Sequence, residues 1–197
     1  IGKEGWAILK LNWRRLVQRA FLVAAGSLLF ILCLPIAPPE QPVTTRILSA
    51  DGEVVGLLYR ENRELATLAE VPLFLQQAVL AVEDHRFYQH NGFSPVSFGR
   101  AVYHNLFVRE GLQGFSTITQ QVAKNGYLSA EKTIIRKLKE LFLALRLELH
   151  YTKGQILELY LNQIYFGHGA FGIKTAALTY FGRPLSALNR REMALLA

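Results

Sequence analysis

No charged residue interrupts Ala20–Ala37 (AFLVAAGSLLFILCLPIA), and this run constrains the chain more than any other feature. As a helix it rises about 27 Å, close to the hydrocarbon thickness of a bilayer. Lys3, Lys10, Arg14, Arg15 and Arg19 precede it, opposed only by Glu4. Basic residues on one flank place that flank in the cytoplasm and the rest of the chain outside. Trp6 and Trp13 suit the interface. A cleaved signal peptide is the competing reading. The run is long for a signal core, however, Pro38-Pro39 follows at once, and neither a small-x-small cleavage pattern nor a lipobox around Cys33 is evident. A buried core helix is the plainer alternative. The sequence opens on Ile1, so further N-terminal residues are expected ahead of it.

With 51% hydrophobic and 19% charged residues, the 197-residue chain has ample material for a core and is not a disordered or low-complexity polypeptide. Its single cysteine excludes a disulfide framework and a cysteine-based zinc site. A net charge of +7 calls for an anionic partner: nucleic acid, anionic lipid or a phosphorylated substrate. Beyond the basic tail there is no cationic stripe interleaved with stacking aromatics, so nucleic acid is set aside.

The expected organisation is a cytoplasmic basic tail (1–19), a transmembrane anchor (20–37), a linker with a β-hairpin (38–69) and a mainly α domain (70–197). Pro38 to Pro42 is a stiff segment. Asp51-Gly52, between Ile47-Leu48 and Val54-Val55, marks the hairpin turn. Helices are expected from Val71 to about His85 and from Ser94-Pro95 to Phe107. A third should run from the capping box Thr117–Gln120 to Asn125, stopped by Gly126. Glu131–Tyr151 is expected as a helix with an apolar stripe of Ile134, Leu138, Leu141 and Leu145. Another starts at the capping box Thr152–Gln155, and two more lie near Ile173–Phe181 and from about Asn189.

Four stretches carry chemistry. In the first, EDHRFYQHNG (83–92), Glu83 and Asp84 end a helix with an apolar body. A helix C-terminus and an apolar setting both favour the neutral carboxyl group, which suits a general base. The plain alternative is a surface pairing with Arg86. His85 and His90 are metal candidates, although such histidines are more often structural. In the second, GFSTITQQVAKN (114–125), Thr117, Gln120, Gln121 and Lys124 share one helix face. With Ser116 and free N–H groups at the helix start, this reads as a phosphate or diphosphate site. In the third, Arg136, Lys137 and Glu140 lie on the face opposite the leucine stripe, as an exposed ion-pair ladder or as a carboxylate held among phosphate-binding cations. The fourth, KGQILELYLNQIYFG (153–167), reads as core packing in which Glu158 and Asn162 buttress the site. Ser129-Ala-Glu-Lys132 matches the S-x-x-K signature of serine acyltransferases, but no S-D-N or K-T-G follows. Ser129 is better read as a helix N-cap.

In this order the four motifs resemble the peptidoglycan glycosyltransferase family, glycosyltransferase family 51, over about residues 45–197. The ending REMALLA (191–197) looks like the start of the family's fifth motif, so the end of that domain, and any transpeptidase domain, is expected to lie beyond this sequence. The hairpin region is similar to that of bifunctional class A penicillin-binding proteins. Phe115 stands where the family has a small residue, and Gly126-Tyr127 replaces the usual Leu-Phe.

The resemblance implies a lysozyme-like, two-lobed α-helical fold whose smaller jaw touches the membrane, with Val96–Val108 dipping into the outer leaflet. It implies polymerisation of lipid II into glycan strands, with release of undecaprenyl diphosphate and inversion at the anomeric carbon. Glu83 would be the general base, and Glu140 the second catalytic carboxylate. Ser116, Thr117 and Gln120 would donate hydrogen bonds to the diphosphate, and Lys124, Lys132, Arg136 and Lys137 would supply its cations. Gln121 and Asn125 fall in the same motif as substrate-binding positions. Asp84, Phe87 and His90 would shape the site. Glu140 is the one candidate ligand for a divalent cofactor, Mg²⁺ or Mn²⁺. The implied partners are lipid II, the growing glycan strand, the bacterial cytoplasmic membrane and cell-wall elongation or division proteins. A lysozyme-like glycan hydrolase and a non-catalytic lipid II-binding or divisome scaffold are the alternatives.

Overall fold

A computed structural model describes residues 3–59, 61–107, 116–129, 131 and 133–197. The chain divides into two compact units, Ile1–Ile36 and Ala37–Ala197. The first is one helix, α1 (Lys3–Cys33). Within it Trp13–Cys33 is long and apolar enough to cross a membrane. The helix takes in most of the basic tail, because nothing there breaks it. It ends at Cys33 and not at the expected Ala37. Pro35 disfavours helical backbone at Leu34 and has no N–H with which to continue the ladder.

The second unit begins with the hairpin β1 (Thr45–Leu48) and β2 (Val54–Leu58), antiparallel with Thr45 opposite Leu58 and a bulge after Ile47. Gly52 takes φ +82° in its turn, a conformation that favours glycine. The hairpin leaves Ile47, Leu48, Val54, Val55, Leu57 and Leu58 exposed.

From β3 (Asn62–Arg63) onward the chain, expected to be the end of a linker, is built into the domain. β3 pairs in parallel with β4 (Ala170–Phe171). The Arg63 side chain is buried, with its guanidinium 5.3 Å from the Phe171 ring centroid. Asn162 bridges the segment at both ends of one residue: Nδ2 donates to Ala66 O at 2.8 Å, and Oδ1 accepts from Ala66 N–H at 2.9 Å. Glu158 accepts from Leu68 N–H at 2.6 Å, and Thr175 Oγ1 from Glu64 N–H at 2.8 Å. The buttressing expected of Glu158 and Asn162 therefore acts on residues 66–68.

The rest is mainly α, as the sequence implies: α2 (Leu73–Glu83), α3 (Pro95–Phe107), α4 (Ile118–Tyr127), α5 (Ile134–His150), α6 (Lys153–Gln163), α7 (Ile173–Phe181) and α8 (Arg190–Leu196). The core is centred on α4, which packs on α5 and α6. Ile118, Val122 and Ala123 on α4 and Ile156, Leu157 and Leu161 on α6 are all buried and form its apolar layer. Full burial of such an aliphatic side chain contributes roughly 1.5–3 kcal/mol, so this layer is the main source of rigidity beneath the site. Capping residues set the helix starts. Thr133 Oγ1 accepts from Arg136 N–H and so starts α5 three residues later than expected, and Ser129 caps nothing there. Thr152 and Gln155 form a complete capping box on α6, and Asn189 and Glu192 another on α8.

Two sequence expectations are reversed. Gly126 does not stop α4; it lies within the helix. A Cβ there would collide with the Pro39 ring, so the glycine serves close packing and not a turn. On α5 the leucine stripe faces outward, with Ile134 82% and Leu138 62% exposed, while Glu140 is 1% exposed. The buried set on this helix is Glu140, Ala144 and Leu147. Hydrophobic periodicity found the helix and misread which face turns inward.

Candidate active site

The apolar body of α2 carries Glu83 to its last position, where the side chain is half-buried. Glu83 does not pair with Arg86, which instead bonds Gln89 at 3.0 Å. Its Oε2 accepts from Gln121 Nε2 on α4 at 2.7 Å.

Asp84, the C-cap of α2, turns inward and is buried. Its Oδ2 accepts from Ile118 N–H at 3.2 Å, and its two oxygens lie 2.9 and 3.1 Å from His90 Nε2. The positive end of α4 thus already holds an anion, the Asp84 carboxylate. Thr117 Oγ1 takes a second first-turn N–H, that of Gln120, at 3.2 Å. The start of α4 is therefore a structural joint and not the open phosphate site expected of it. Thr117 is corrected likewise: its one hydroxyl proton goes to Gly92 O at 2.8 Å, and the residue is buried. It ties the first motif to the second and has no proton left for a substrate. His90 is engaged by Asp84, and His85 is exposed.

Phe87 is buried under this loop and packs edge-on against Tyr88 and His90. Lys153 Nζ sits 4.4 Å from the Phe87 ring centroid, a cation–π contact. The same ammonium donates to His90 O at 2.6 Å and to Glu148 Oε1 at 2.8 Å. Thr119 Oγ1 donates to that Glu148 oxygen at 2.5 Å. Thr119, Glu148 and Lys153 thus lock the first motif onto α4, α5 and α6. Sequence reading missed all three roles. They come from different helices, and no period or spacing relates them.

Across α4, Lys137 Nζ reaches Ser116 Oγ at 2.9 Å and Gln120 Oε1 at 3.3 Å, and it also pairs with Glu140 Oε1. Arg136 Nη1 bonds Glu140 Oε2 at 2.9 Å. Each oxygen of the buried Glu140 thus carries its own cation. Taking a carboxylate out of water costs several kcal/mol, and here two cations offset that cost. Such a carboxylate does not fit a divalent ion, which would have to enter between a guanidinium and an ammonium. Among the described residues no cluster of three or more His, Cys, Asp or Glu side chains suits a metal. The arrangement is a cationic cradle: Arg136 and Lys137 held in place by Glu140, beside the Ser116 hydroxyl and the Gln120 amide.

Gln120 and Gln121 therefore face different partners, the cradle and Glu83. Lys124 and Asn125, at the other end of α4, line a cleft of about 500 Å³ together with Arg63, Ser129, Gln163 and Tyr165. Lys132 and Phe115 lie outside the described residues. Tyr160 on α6 is the other residue missed. It is 1% exposed, and burial together with the neighbouring Glu83 carboxylate raises its phenol well above the ordinary tyrosine range. Its place in the apolar stretch ILELYLN gives the appearance of simple core packing.

Residues 51–197 match the family described as Transglycosylase. The chain is 42% identical over 186 residues to penicillin-binding protein 1F of Bacillus subtilis, covering 92% of this chain and 26% of that protein. It is 46% identical over 155 residues to penicillin-binding protein 1A of Escherichia coli, covering 79% and 18%. For penicillin-binding protein 1A of Haemophilus influenzae the identity is 44% over 176 residues, covering 89% and 20%. The chain thus spans about a fifth to a quarter of the length of these relatives. A crystal structure of the Haemophilus influenzae protein aligns with a TM-score of 0.35 at 24% identity, over 82% of this chain and 14% of that one. The assignment rests on the sequence matches: the chain belongs to the transglycosylase family, as a peptidoglycan glycosyltransferase domain of the class A penicillin-binding-protein kind.

Proposed function

We propose that this domain polymerises lipid II into glycan strands and releases undecaprenyl diphosphate, with Glu83 as general base. The observation that carries the reading is the use of one helix for two tasks. Gln121 on α4 holds Glu83, and Gln120, one residue earlier, bonds the Lys137 ammonium of the cationic cradle. A base and an anion cradle held by adjacent residues of one rigid helix suit a displacement in which a proton leaves one oxygen and charge builds on another.

In this mechanism Glu83 takes the proton from the 4-hydroxyl of the acceptor N-acetylglucosamine. That oxygen attacks the anomeric carbon of the donor N-acetylmuramic acid, which gains oxocarbenium character. The bond to the diphosphate breaks, and the configuration inverts. Lys137 and Arg136 meet the charge on the departing diphosphate, Ser116 donates to it, and Lys124 and Lys132 complete the positive field. Glu140 keeps the two cations of the cradle in place. Asp84, Phe87 and His90 hold the loop that carries the base. The N-terminus lies in the cytoplasm and the domain on the outer face of the membrane, with α3 against the outer leaflet. The anchor confines the enzyme to the plane of its lipid substrate, which raises the effective concentration. Elongation or division proteins are the partners such a polymerase would work with.

The test is polymerisation of labelled lipid II in detergent by wild type and Glu83→Gln, with lipid II binding followed in parallel. Polymer from wild type alone, with binding kept in the variant, is the expected result. Binding without polymer from either protein indicates a scaffold, and cleavage of finished glycan indicates a hydrolase.

A further inference from the structure

We infer that Tyr160 is a positioning residue for the Glu83 base, donating a hydrogen bond from its buried hydroxyl to the carboxylate as Glu83 engages substrate. The inference rests on the reading of Glu83 as base. Tyr160 lies on the buried face of α6, which packs on α4, the helix that holds Glu83 through Gln121. The residue is 1% exposed, and its hydroxyl faces the Glu83 carboxylate without reaching full hydrogen-bond geometry to any described residue. A phenol so buried with an idle proton loses free energy unless it gains a partner at some stage. The acceptor beside it is Glu83, whose negative charge also keeps the phenol protonated. Gln121 already holds Glu83 Oε2 from the α4 side. A turn of the carboxylate completes the second bond and fixes the oxygen that receives the proton.

Among the described residues, the other ionisable groups near this point have their own places. His85 is exposed, and Arg86 bonds Gln89. Asp84 and His90 bond each other. Arg136 and Lys137 on α5 are bound to Glu140. Lys124 lies on α4 one turn beyond Gln121 and is exposed. Arg190 on α8 lies over Phe74, near the far end of α2. Among the described residues Tyr160 is the buried proton donor beside the base.

The experiment measures the pH dependence of lipid II polymerisation by the full chain in detergent, for wild type, Tyr160→Phe and Glu83→Gln. Tyr160→Phe keeps the ring and removes a hydroxyl whose one acceptor at hand is Glu83 and whose bond to it is incomplete in the resting structure. Its melting temperature should stay near that of wild type. A carboxylate that loses a hydrogen-bond donor holds its proton more tightly. The acidic limb of kcat/KM should therefore move up by about half to one pH unit, and kcat should fall roughly three- to tenfold with KM little changed. Site-specific 3-fluorotyrosine at position 160, a stronger donor of the same shape, should move the limb the other way, and it answers the question even if the phenylalanine variant folds poorly. A limb that stays at the wild-type pH in both variants overturns the inference. So does a loss of activity that is uniform in pH and accompanied by a lowered melting temperature. If Glu83→Gln remains active with the acidic limb in place, the base assignment itself fails, and the role of Tyr160 falls with it. A dead Glu83→Gln with unmoved limbs in the Tyr160 variants removes only the latter.

Discussion

Gln121 Nε2 donates to Glu83 Oε2 at 2.7 Å, so the last residue of α2 is held by the fourth residue of α4. An amide here fixes a carboxylate without adding charge. In Gln121→Leu the Glu83 side chain is free to swing, and misplacing a base by about 1 Å costs on the order of 100-fold in rate. Lipid II polymerisation should fall ten- to 100-fold in kcat, with a change in KM of less than about threefold. Gln121→Glu should be worse, because it sets a like charge against the base. Steady-state kinetics of the two variants check the order, and a Gln121→Leu enzyme with wild-type kcat refutes the role.

Glu140 is the second point at which charge decides the outcome. Removing one partner of a buried ion cluster leaves the others uncompensated, at a cost of roughly 3–5 kcal/mol. Glu140→Leu should therefore lower the melting temperature by about 6–15 °C for a domain of this size. Pairing it with Lys137→Met removes one of the stranded cations, so the double variant should melt above the sum of the two single effects. Thermal melts of the four proteins of this cycle measure the coupling. Strict additivity would mean that Glu140 does not hold the cradle together.

Much of this site is legible in the sequence. The capping signals at Thr117 and Thr152 mark two helix starts because a side chain and the backbone N–H it satisfies are close in sequence. Glu83, Glu140, Lys137 and Gln121 stand out in the sequence because ionisable and amide residues fall in short, ordered motifs, and the structure joins Gln121 to Glu83 and Lys137 to Glu140. What stayed hidden depended on contacts between distant segments. The expected anion site at the start of α4 is filled by Asp84, 34 residues upstream. Thr117 gives its proton to Gly92, and Gly126 is shaped by Pro39. The α5 helix misled because its two faces were ranked by hydrophobicity alone. A buried carboxylate with two cation partners can outrank leucines, but only tertiary structure supplies the partners.

Asn162 gives a stability test of the segment between the hairpin and α2. Its amide satisfies both the N–H and the carbonyl of Ala66 in a buried setting. Asn162→Ala strands both groups, each costing about 1–3 kcal/mol, so a fall of about 4–24 °C in melting temperature is expected. Asn162→Asp keeps the acceptor for Ala66 N–H and should lie between the alanine variant and wild type. A variant as stable as wild type would show that residues 62–70 are a free linker after all.

Apolar side chains facing out on α3 and α5 make the last prediction. Val96 is 56%, Phe98 42%, Tyr103 62%, Ile134 82% and Leu138 62% exposed, so none of them is ordinary core. Exposed positions tolerate polar substitution within about 0.5 kcal/mol, and Phe98→Ser with Leu138→Ser should leave the melting temperature nearly unchanged. If these side chains enter the outer leaflet, each contributes roughly 1.5–3 kcal/mol of apolar burial there. Liposome association of a protein lacking residues 1–36 should then drop at least about tenfold in the double variant. Wild-type association in a well-folded double variant would leave α1 as the membrane contact and would remove the jaw from the mechanism.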